Sequence, residues 1–343
     1  MHELLNVLYI QLQGTVLHLD HDTVRVEHER QTKLRIPLLR LSGIVAFGQV
    51  TITPFLIQRC AEDGRSLVWL GRNGRFKARV EGQTRGNVLL RRAQHLALSD
   101  EERTTAIARQ IVAGKIQNSR QTLLRAARET EAGEDKSALS AAGERLAGIL
   151  KRLPACPTVD TVRGAEGEAA RSYFGVFGCM VRNDREAFGP AGRTKRPPRD
   201  RANAVLSFLY ALVRAECTTA LEGVGLDPQV GFLHVLRPGR PSLALDLMEE
   251  FRPVLADRLA ITLINRRQLQ SDHFEALPGG AIHLTEEGRK AVIVAYQGRK
   301  EEEIEHRVLK EKVPLGLLPH VQARLLARHL RGDLKEYPPY VHR

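Results

Sequence analysis

One histidine and three acids in the stretch 231–253, GFLHVLRPGRPSLALDLMEEFRP, have types and spacings that suit metal chemistry. His234 comes first, and Asp246, Glu249 and Glu250 follow after a turn rich in proline and glycine. Spacings of three and four residues place the acids on one face of a predicted helix. Carboxylates that lie close together at the edge of a buried helix reduce the stability of the fold unless a cation compensates their charge. A divalent metal with His234 as a further ligand would do so, and a solvated acidic face beside a loop histidine is the alternative.

A further acid, Glu166, stands in the stretch VRGAEGEAARSYF at 162–174. The glycines and alanines around it allow backbones to pack closely, and Tyr173 and Phe174 anchor the predicted helix in a core. A carboxylate in so apolar a setting is either exposed on a thin edge or held by a partner. Glu168, two positions on, is expected to face elsewhere as an ordinary solvated acid.

A basic segment rich in glycine and proline, FGPAGRTKRPPRD at 188–200, is either a solvated loop or a loop that contacts phosphates. Its cations are Arg193, Lys195, Arg196 and Arg199. A looser basic stripe on a predicted helix is weaker support for the same function and comprises Lys115, Arg120, Arg125 and Arg128.

The elements that must position these residues indicate an α+β protein of two domains. Short β-rich runs separated by turn signals, with one helix, fill residues 1–82, and helical patterns dominate residues 83–343. A chain of 343 residues is long enough for both. We therefore predict a small β-rich N-terminal domain followed by a larger all-α catalytic domain.

Within this scheme the helices should begin and end at recognisable signals. Ser99 with Glu102 resembles a capping box, and Ser242 can cap the helix that carries the three acids. Pro253 should kink or restart that helix, and a β-hairpin is possible near 282–284. Further helices are predicted over about 54–61, 100–130, 136–152, 200–222 and, with interruptions, 286–331.

The net charge of +12 and pI near 9.9 suggest an anionic polymer or a membrane surface as partner. The cysteines form no C-x-x-C pair, which makes a disulfide framework or a structural zinc site improbable. The N-terminus lacks the pattern of a signal peptide, and no apolar run approaches the roughly 18 residues that span a membrane. We expect a cytoplasmic protein without a membrane partner.

Three motifs, in this order and spacing, resemble the CRISPR-associated adaptation endonuclease/integrase family, most closely its type I-C members. They are R-G-x-E-G-x-A-A-x-x-Y-F at 163–174, P-P-x-D-x-x-N-A-x-L-S-F at 197–208, and G-F-L-H followed by S-L-A-L-D-L-x-E-x-F-R-P at 231–253. The resemblance extends to Gln322-Ala323-Arg324 and to Tyr337-Pro338-Pro339-Tyr340, and so covers essentially the whole chain.

The resemblance implies a metal-dependent DNA endonuclease and integrase that inserts short duplex DNA as new spacers at a CRISPR repeat. A DNA 3′-hydroxyl would attack the phosphodiester. By resemblance Glu166, His234 and Glu249 hold Mn²⁺ or Mg²⁺, Asp246 is a further acid of the catalytic motif, and Asn203 supports the ligands. The family often has aspartate where Glu249 stands. Carboxylates suit both metals, and an imidazole favours Mn²⁺.

The implied partners are double-stranded DNA, as spacer precursor and as CRISPR repeat, and a small second adaptation protein. The β-rich domain is implied to form a homodimer. Two alternatives remain, a non-catalytic DNA-binding scaffold and a metal-dependent nuclease for branched DNA or RNA outside CRISPR adaptation. A metabolic hydrolase is disfavoured, because the sequence has no glycine-rich nucleotide loop, G-x-S-x-G or H-E-x-x-H motif.

Overall fold

The computed structural model describes residues 6–72, 74–80, 82, 88–131, 133–190 and 192–342. The chain divides into two units, residues 1–86 and residues 87–343. The sequence predicts a domain boundary between residues 82 and 83. Residues 83–87 lie outside the described residues, so this boundary stays a prediction.

The first unit contains short strands and one helix. They are β1 Asn6–Ile10, β2 Val16–Asp20, β3 Thr23–His28, β4 Gln31–Pro37, β5 Leu41–Phe47, β6 Thr51–Ile52, α1 Pro54–Glu62, β7 Ser66–Leu70 and β8 Phe76–Val80. One sheet has the strand order β1-β5-β7-β8 and the other β4-β3-β2-β6. Alternating side chains such as Leu17 and Val24 meet Leu56 of α1 in a closed apolar core. The β-rich prediction is confirmed, and only the two-residue β6 was too short to show alternation.

The second unit is mainly helical. Its helices are α2 Val88–Ser99, α3 Glu101–Glu129, α4 Gly133–Arg152, α5 Val159–Gly175, α6 Arg185–Phe188, α7 Arg201–Val224, α8 Ser242–Glu249, α9 Arg258–Asn265, α10 Glu286–Glu301 and α11 Leu318–Arg331. The long helix α3 packs against α4, α5 and α8. It thereby joins the helices that carry the predicted site residues.

The prediction that this unit is all-α is wrong, because it also contains two small antiparallel sheets. Their strands are β9 Phe274–Leu277, β10 Ala281–Leu284, β11 Glu303–Glu305 and β12 Lys312–Pro314. The first hairpin lies close to the possible hairpin predicted near 282–284. The second has a charged strand, EIE, without the apolar alternation that marks a strand in sequence.

Two predicted helix caps are also wrong. Asp100 caps α3, since its side chain accepts a hydrogen bond from the backbone N–H of Arg103 at 3.0 Å. Ser99 still belongs to α2, and its hydroxyl donates to the carbonyl of His95. Ser242 is the first residue of α8, and its hydroxyl donates to the carbonyl of Val235 at 3.1 Å. It therefore ties the preceding loop to the helix.

Between α8 and α9 the chain forms a wide π-helical turn over Arg252–Asp257. Pro253 lies at its start, where a missing N–H and a fixed φ interrupt the regular helix, as predicted. The turn brings Arg252 and Asp257 to the region around α8.

Among the described helices, only α7 is long and apolar enough to cross a membrane by length and composition. Within the most apolar 18-residue segment of α7, 61% is buried inside the protein. The helix packs against α8 and α11. It is a core helix of this unit.

Candidate metal centre

His234 lies on the loop before α8 and is oriented by Asp246. The Nδ1 atom of His234 is 2.7 Å from Oδ1 of Asp246. The same carboxylate accepts hydrogen bonds from the backbone N–H groups of Phe232, Leu233 and His234 at 2.6 to 3.0 Å. Because a carboxylate only accepts, Nδ1 carries the ring proton of the neutral histidine and Nε2 keeps its lone pair. Asp246 thus fixes both the loop and the histidine tautomer.

Close packing of this loop on α8 requires glycine at position 231. A Cβ atom there would lie 2.6 Å from the carbonyl carbon of Ser242 and 2.8 Å from Oδ2 of Asp246. Arg163 of α5 holds the other side of the loop, since its Nε donates to the carbonyl of Leu233. The G-F-L-H motif therefore has a structural reason for its first residue.

Glu249 is almost fully buried, with 3% of its side chain exposed. Its Oε1 lies 3.0 Å from Arg252 and 3.8 Å from Nε2 of His234, and its Oε2 lies 2.6 Å from Nζ of Lys115. Burial alone would raise the pKa of Glu249, but Arg252 and Lys115 hold this pKa well below its ordinary value. Glu249 is therefore an anion that two cations compensate.

Glu166 of α5 is partly exposed and pairs with the same ammonium group of Lys115. Burial alone would lower the pKa of Lys115, but Glu249 and Glu166 outweigh burial and raise it, so this lysine is a cation. Glu168 faces elsewhere and pairs with Arg152 at 2.9 Å. Of the two alternatives that the sequence leaves open for Glu166, the structure shows the one in which a partner holds it, and the partner is Lys115.

Among the described residues, no three His, Cys, Asp or Glu side chains form a ready-made metal site, because Lys115 lies between the two glutamates. The donor set nevertheless fits a divalent ion. The carboxylates of Glu166 and Glu249 converge on the ammonium nitrogen of Lys115, which occupies the position that a metal ion would take. The lone pair of His234 lies beside them. Oε2 of Glu249 accepts no well-aligned hydrogen bond despite its short contact with Lys115. Two carboxylates and one imidazole are suitable ligands for Mn²⁺ or Mg²⁺.

The three acids in and directly after α8 do not share one solvated face. Asp246 and Glu250 are fully buried, and Glu249 nearly so. Glu250 points away from the histidine and accepts hydrogen bonds from the hydroxyl of Tyr337 and the backbone N–H of Tyr340, both at 2.6 Å. The alternative of a solvated acidic helix is wrong. Each acid has its own partners, and Glu250 binds the C-terminal segment.

Asn203 is buried at the start of α7 and does not contact the predicted ligands. Its Oδ1 accepts from Arg193 at 2.7 Å, and its Nδ2 donates to the carbonyl of Gly192 at 2.8 Å. The guanidinium groups of Arg193 and Arg252 lie 5.3 and 4.7 Å from the ring centre of Tyr210. Asn203 therefore contacts Arg193, which lies with Arg252 against the ring of Tyr210, and does not contact Glu249 itself.

The basic loop divides into one inward and three outward cations. Arg193 uses its donors on Asn203 and on the hydroxyl of Ser207, so the prediction that it contacts phosphates is corrected. Burial lowers its pKa. Lys195, Arg196 and Arg199 are exposed and stay candidates for DNA contact. Although the residue as a whole is exposed, partial desolvation of its ammonium group and the nearby Arg252 lower the pKa of Lys195, so this lysine lies near the candidate centre.

A buried carboxyl, Asp257, lies beside this centre without having been predicted. The hydroxyls of Tyr173 and Tyr210 donate to it at 3.0 and 2.7 Å. Burial raises its pKa to about 6.

Sequence reasoning also missed Arg252 and gave Lys115 only as part of a loose basic stripe. Arg252 stands within the F-R-P of the third motif, and this position in a motif is the feature of the sequence that could have identified it.

The chain matches the family model for the CRISPR associated protein Cas1 over residues 8–298. It is 57% identical over 343 residues to the CRISPR-associated endonuclease Cas1 1 of Moorella thermoacetica, with 100% of each chain covered. Its fold is similar to that of a casposase bound to integration product, with a TM-score of 0.85, 22% identity, and coverage of 99% of this chain and 95% of that one. A similar fold occurs in a Cas6-RT-Cas1–Cas2 complex, with a TM-score of 0.83, 24% identity, and coverage of 99% and 36%.

Proposed function

Because the chain belongs to the Cas1 family of CRISPR-associated proteins, we propose that it is a metal-dependent DNA endonuclease and integrase of CRISPR adaptation. It would insert short duplex DNA as a new spacer at the repeat. The observation that carries this proposal is the convergence of Glu166 and Glu249 on one cationic centre beside Nε2 of His234. The relative from Moorella is named an endonuclease, and the casposase structure contains an integration product.

Glu166, His234 and Glu249 would hold Mn²⁺ or Mg²⁺. When bound, the metal supplies charge neutralisation at the phosphate and polarises the attacking oxygen. Asp246 would keep Nε2 of His234 free of its proton and aimed at the ligand position. Before the metal binds, Lys115 and Arg252 keep Glu249 ionised, and Arg252 would add positive charge next to the phosphate that reacts.

In integration the attacking group would be a DNA 3′-hydroxyl, and the phosphodiester of the repeat would be exchanged without net hydrolysis. Water in the same position would give nuclease activity. Lys195, Arg196 and Arg199 are exposed and would hold the DNA by phosphate contacts that do not read sequence.

We also propose that two copies of the chain associate through the β-rich unit. The edge strand β4 is exposed over most of its length, and Leu34 on it is 46% exposed. Unpaired strand edges with apolar side chains favour association. A monodisperse monomer in light scattering at micromolar concentration would contradict the homodimer.

The proposed protein partner is the small second adaptation protein, Cas2, because a similar fold occurs in the Cas6-RT-Cas1–Cas2 complex. Assignment to a type I-C system remains a proposal based on the three motifs. Identifying the repeat sequence into which the protein inserts DNA tests this assignment.

The deciding experiment is strand transfer of a labelled short duplex into a plasmid that carries a CRISPR repeat. It compares Mn²⁺, Mg²⁺ and chelator, with and without the partner protein. Glu166→Ala should abolish joining and cutting, whereas Glu168→Ala, two positions on and paired only at the surface, should keep both.

The outcomes separate the alternatives. Metal-dependent joining that Glu166→Ala abolishes supports the integrase. Cutting without joining, or a preference for branched DNA or RNA, would support another nuclease. DNA binding without either activity would support a non-catalytic scaffold.

A further inference from the structure

A second basic site lies in the helical unit between α3, α9 and α10. It is a cavity of about 500 Å³, and we call it the basic cavity. Its charged lining residues are Arg125, Arg258, Arg266, Arg299, Glu129 and Glu302. None of them is a predicted ligand of the candidate metal centre.

Positive charge in the basic cavity exceeds negative charge, because four arginines face two glutamates. Glu129 pairs with Arg125 at 2.8 Å, and Glu302 pairs with Arg299. Arg258 pairs with no carboxylate among the described residues, and its guanidinium donates to Nε2 of His342. Arg266 likewise pairs with no carboxylate among the described residues, so two of the four arginines line the cavity without a paired counter-charge.

The neighbouring side chains respond to this excess. Burial, together with Arg299 and Arg125, lowers the pKa of Arg258 to about 10. Burial, then Arg258, Arg299 and Arg125, lower the pKa of His342 to about 4, so its ring is neutral and accepts from Arg258. Tyr340 fixes the other ring nitrogen of this histidine at 2.9 Å. The local field thus favours an anion in the cavity.

The basic cavity has room for such an anion. A Cβ atom added to Gly298, on the wall formed by α10, would meet no atom within 4 Å. Guanidinium groups bind phosphate oxygens through paired N–H donors, and Arg258 and Arg266 have donors to offer.

We propose that the basic cavity binds a backbone phosphate of the DNA strand that reaches the candidate metal centre. Ten residues of α3 separate Lys115 from Arg125, which is about 15 Å at 1.5 Å per residue. That length corresponds to about four or five nucleotide steps of a duplex strand. This assignment rests on the proposed function, because DNA is the polymer that supplies phosphates at this spacing.

The test introduces a charge into the cavity without removing a native contact. Gly298→Glu places a carboxylate there, and Gly298→Gln places a neutral side chain of the same size. Affinity for a labelled short duplex is measured in chelator by fluorescence anisotropy over a series of salt concentrations. We expect the glutamate variant to bind several-fold more weakly, with a salt slope smaller by about 0.9, and the glutamine variant to bind much like the wild type.

A second pair of variants checks that the effect belongs to the cavity. Arg258→Gln should reduce the salt slope by about 0.9, the equivalent of one phosphate contact, on every sequence. Arg145→Gln, which changes an exposed arginine of α4 that does not line the cavity, should not. Thermal unfolding verifies that the variants are folded. Equal slopes for Gly298→Glu and Gly298→Gln, or equal losses in Arg258→Gln and Arg145→Gln, would overturn the proposal. Wild-type protein that fails to bind duplex DNA would overturn the proposed function as well.

Discussion

The ammonium nitrogen of Lys115 lies 2.6 Å from Oε2 of Glu249 and pairs at the same time with Glu166. It holds the two carboxylates together at the position where the proposed metal would be bound. Metal binding must therefore replace two ion pairs, and the apparent metal affinity includes the free energy of breaking them. Whether the two carboxylates bind metal or lysine therefore depends on Lys115, a side chain of α3.

Replacing Lys115 by methionine should separate these two effects. Without metal, Glu249 keeps only Arg252 as counter-charge and Glu166 loses the ammonium group of Lys115, which should destabilise the variant by about 3–5 kcal/mol. Because the competing cation is gone, Mn²⁺ should raise the melting temperature of the variant more than that of the wild type. Thermal unfolding in chelator and in Mn²⁺ measures both. Arg120→Met, on the same helix and paired with the exposed Glu144, is the matched control. An equal Mn²⁺ effect in all three proteins would show that Lys115 does not compete with the metal.

Asp246→Asn tests whether this carboxylate orients the imidazole. An amide cannot accept all of the hydrogen bonds that Asp246 accepts from Phe232, Leu233 and His234. The affinity for Mn²⁺, measured by calorimetry, should fall by about 10- to 100-fold. Nitrogen NMR of the histidine should show loss of the Nδ1–H tautomer. Asp227→Asn should change neither, because this carboxylate, earlier on the same loop, accepts from the backbone N–H of Gln229 and not from His234. An unaltered tautomer in Asp246→Asn would refute the orienting role.

Tyr337→Phe removes a single oxygen atom from the contact between the C-terminal segment and α8. Glu250 is fully buried and would lose a hydrogen bond of 2.6 Å, so the free energy of unfolding should fall by about 1–3 kcal/mol. Urea titration measures this loss. Tyr340→Phe removes a hydroxyl whose hydrogen bond is with the partly exposed His342, so it should cost less. Equal losses in the two variants would argue that the contact with Glu250 has no special weight.

Asp257 predicts a pH dependence of stability. Burial raises its pKa from 3.8 to about 6 in the folded protein. Between these values the folded chain binds more protons than the unfolded chain, so this contribution is full below pH 3.8 and is lost as the pH rises through about 6. The loss amounts to roughly 3 kcal/mol.

The comparison of wild type with Asp257→Asn isolates this group from other carboxyls that titrate in the same range. Relative to wild type, the variant should become more stable as the pH increases from about 4 to about 7, because its amide never ionises. Denaturant unfolding at several pH values gives the difference. A difference that does not change with pH would show that Asp257 is not protonated in the folded state.

The pairing of His234 with Asp246 and Glu249 could be predicted because a short turn and a helical spacing bring these residues together. Glu166 and Lys115 could not be paired from sequence, since the partners stand 51 positions apart on different helices. The same limit applies to Glu250, which shares the spacing of its neighbours but points to a segment far along the chain. Local periodicity identifies the face of a helix, and tertiary packing decides which partner reaches it.

The elements of the fold also divide into those that the sequence predicts and those that tertiary packing decides. The amphipathic pattern of α3 and α7 was visible in the sequence, and both helices lie close to the predicted ranges. Ser99 and Asp100 are both acceptable caps by residue type, and only the end of α2 decides between them. Arg193 was predicted to bind phosphate from its charge, but Asn203 and Ser207 use its donors inside the protein.

The binding of Tyr337 and Tyr340 to Glu250 also sets an order of events during synthesis. The ribosome makes the chain from its N-terminus at about 5–20 residues per second, so residues up to 90 positions downstream follow Glu250 by roughly 5 to 20 seconds. During that interval the carboxyl next to Glu249 lacks the groups that satisfy it in the finished fold. A nascent chain therefore cannot complete the surroundings of its candidate metal ligand early. Any DNA-cutting activity would begin only after this late segment has emerged and docked.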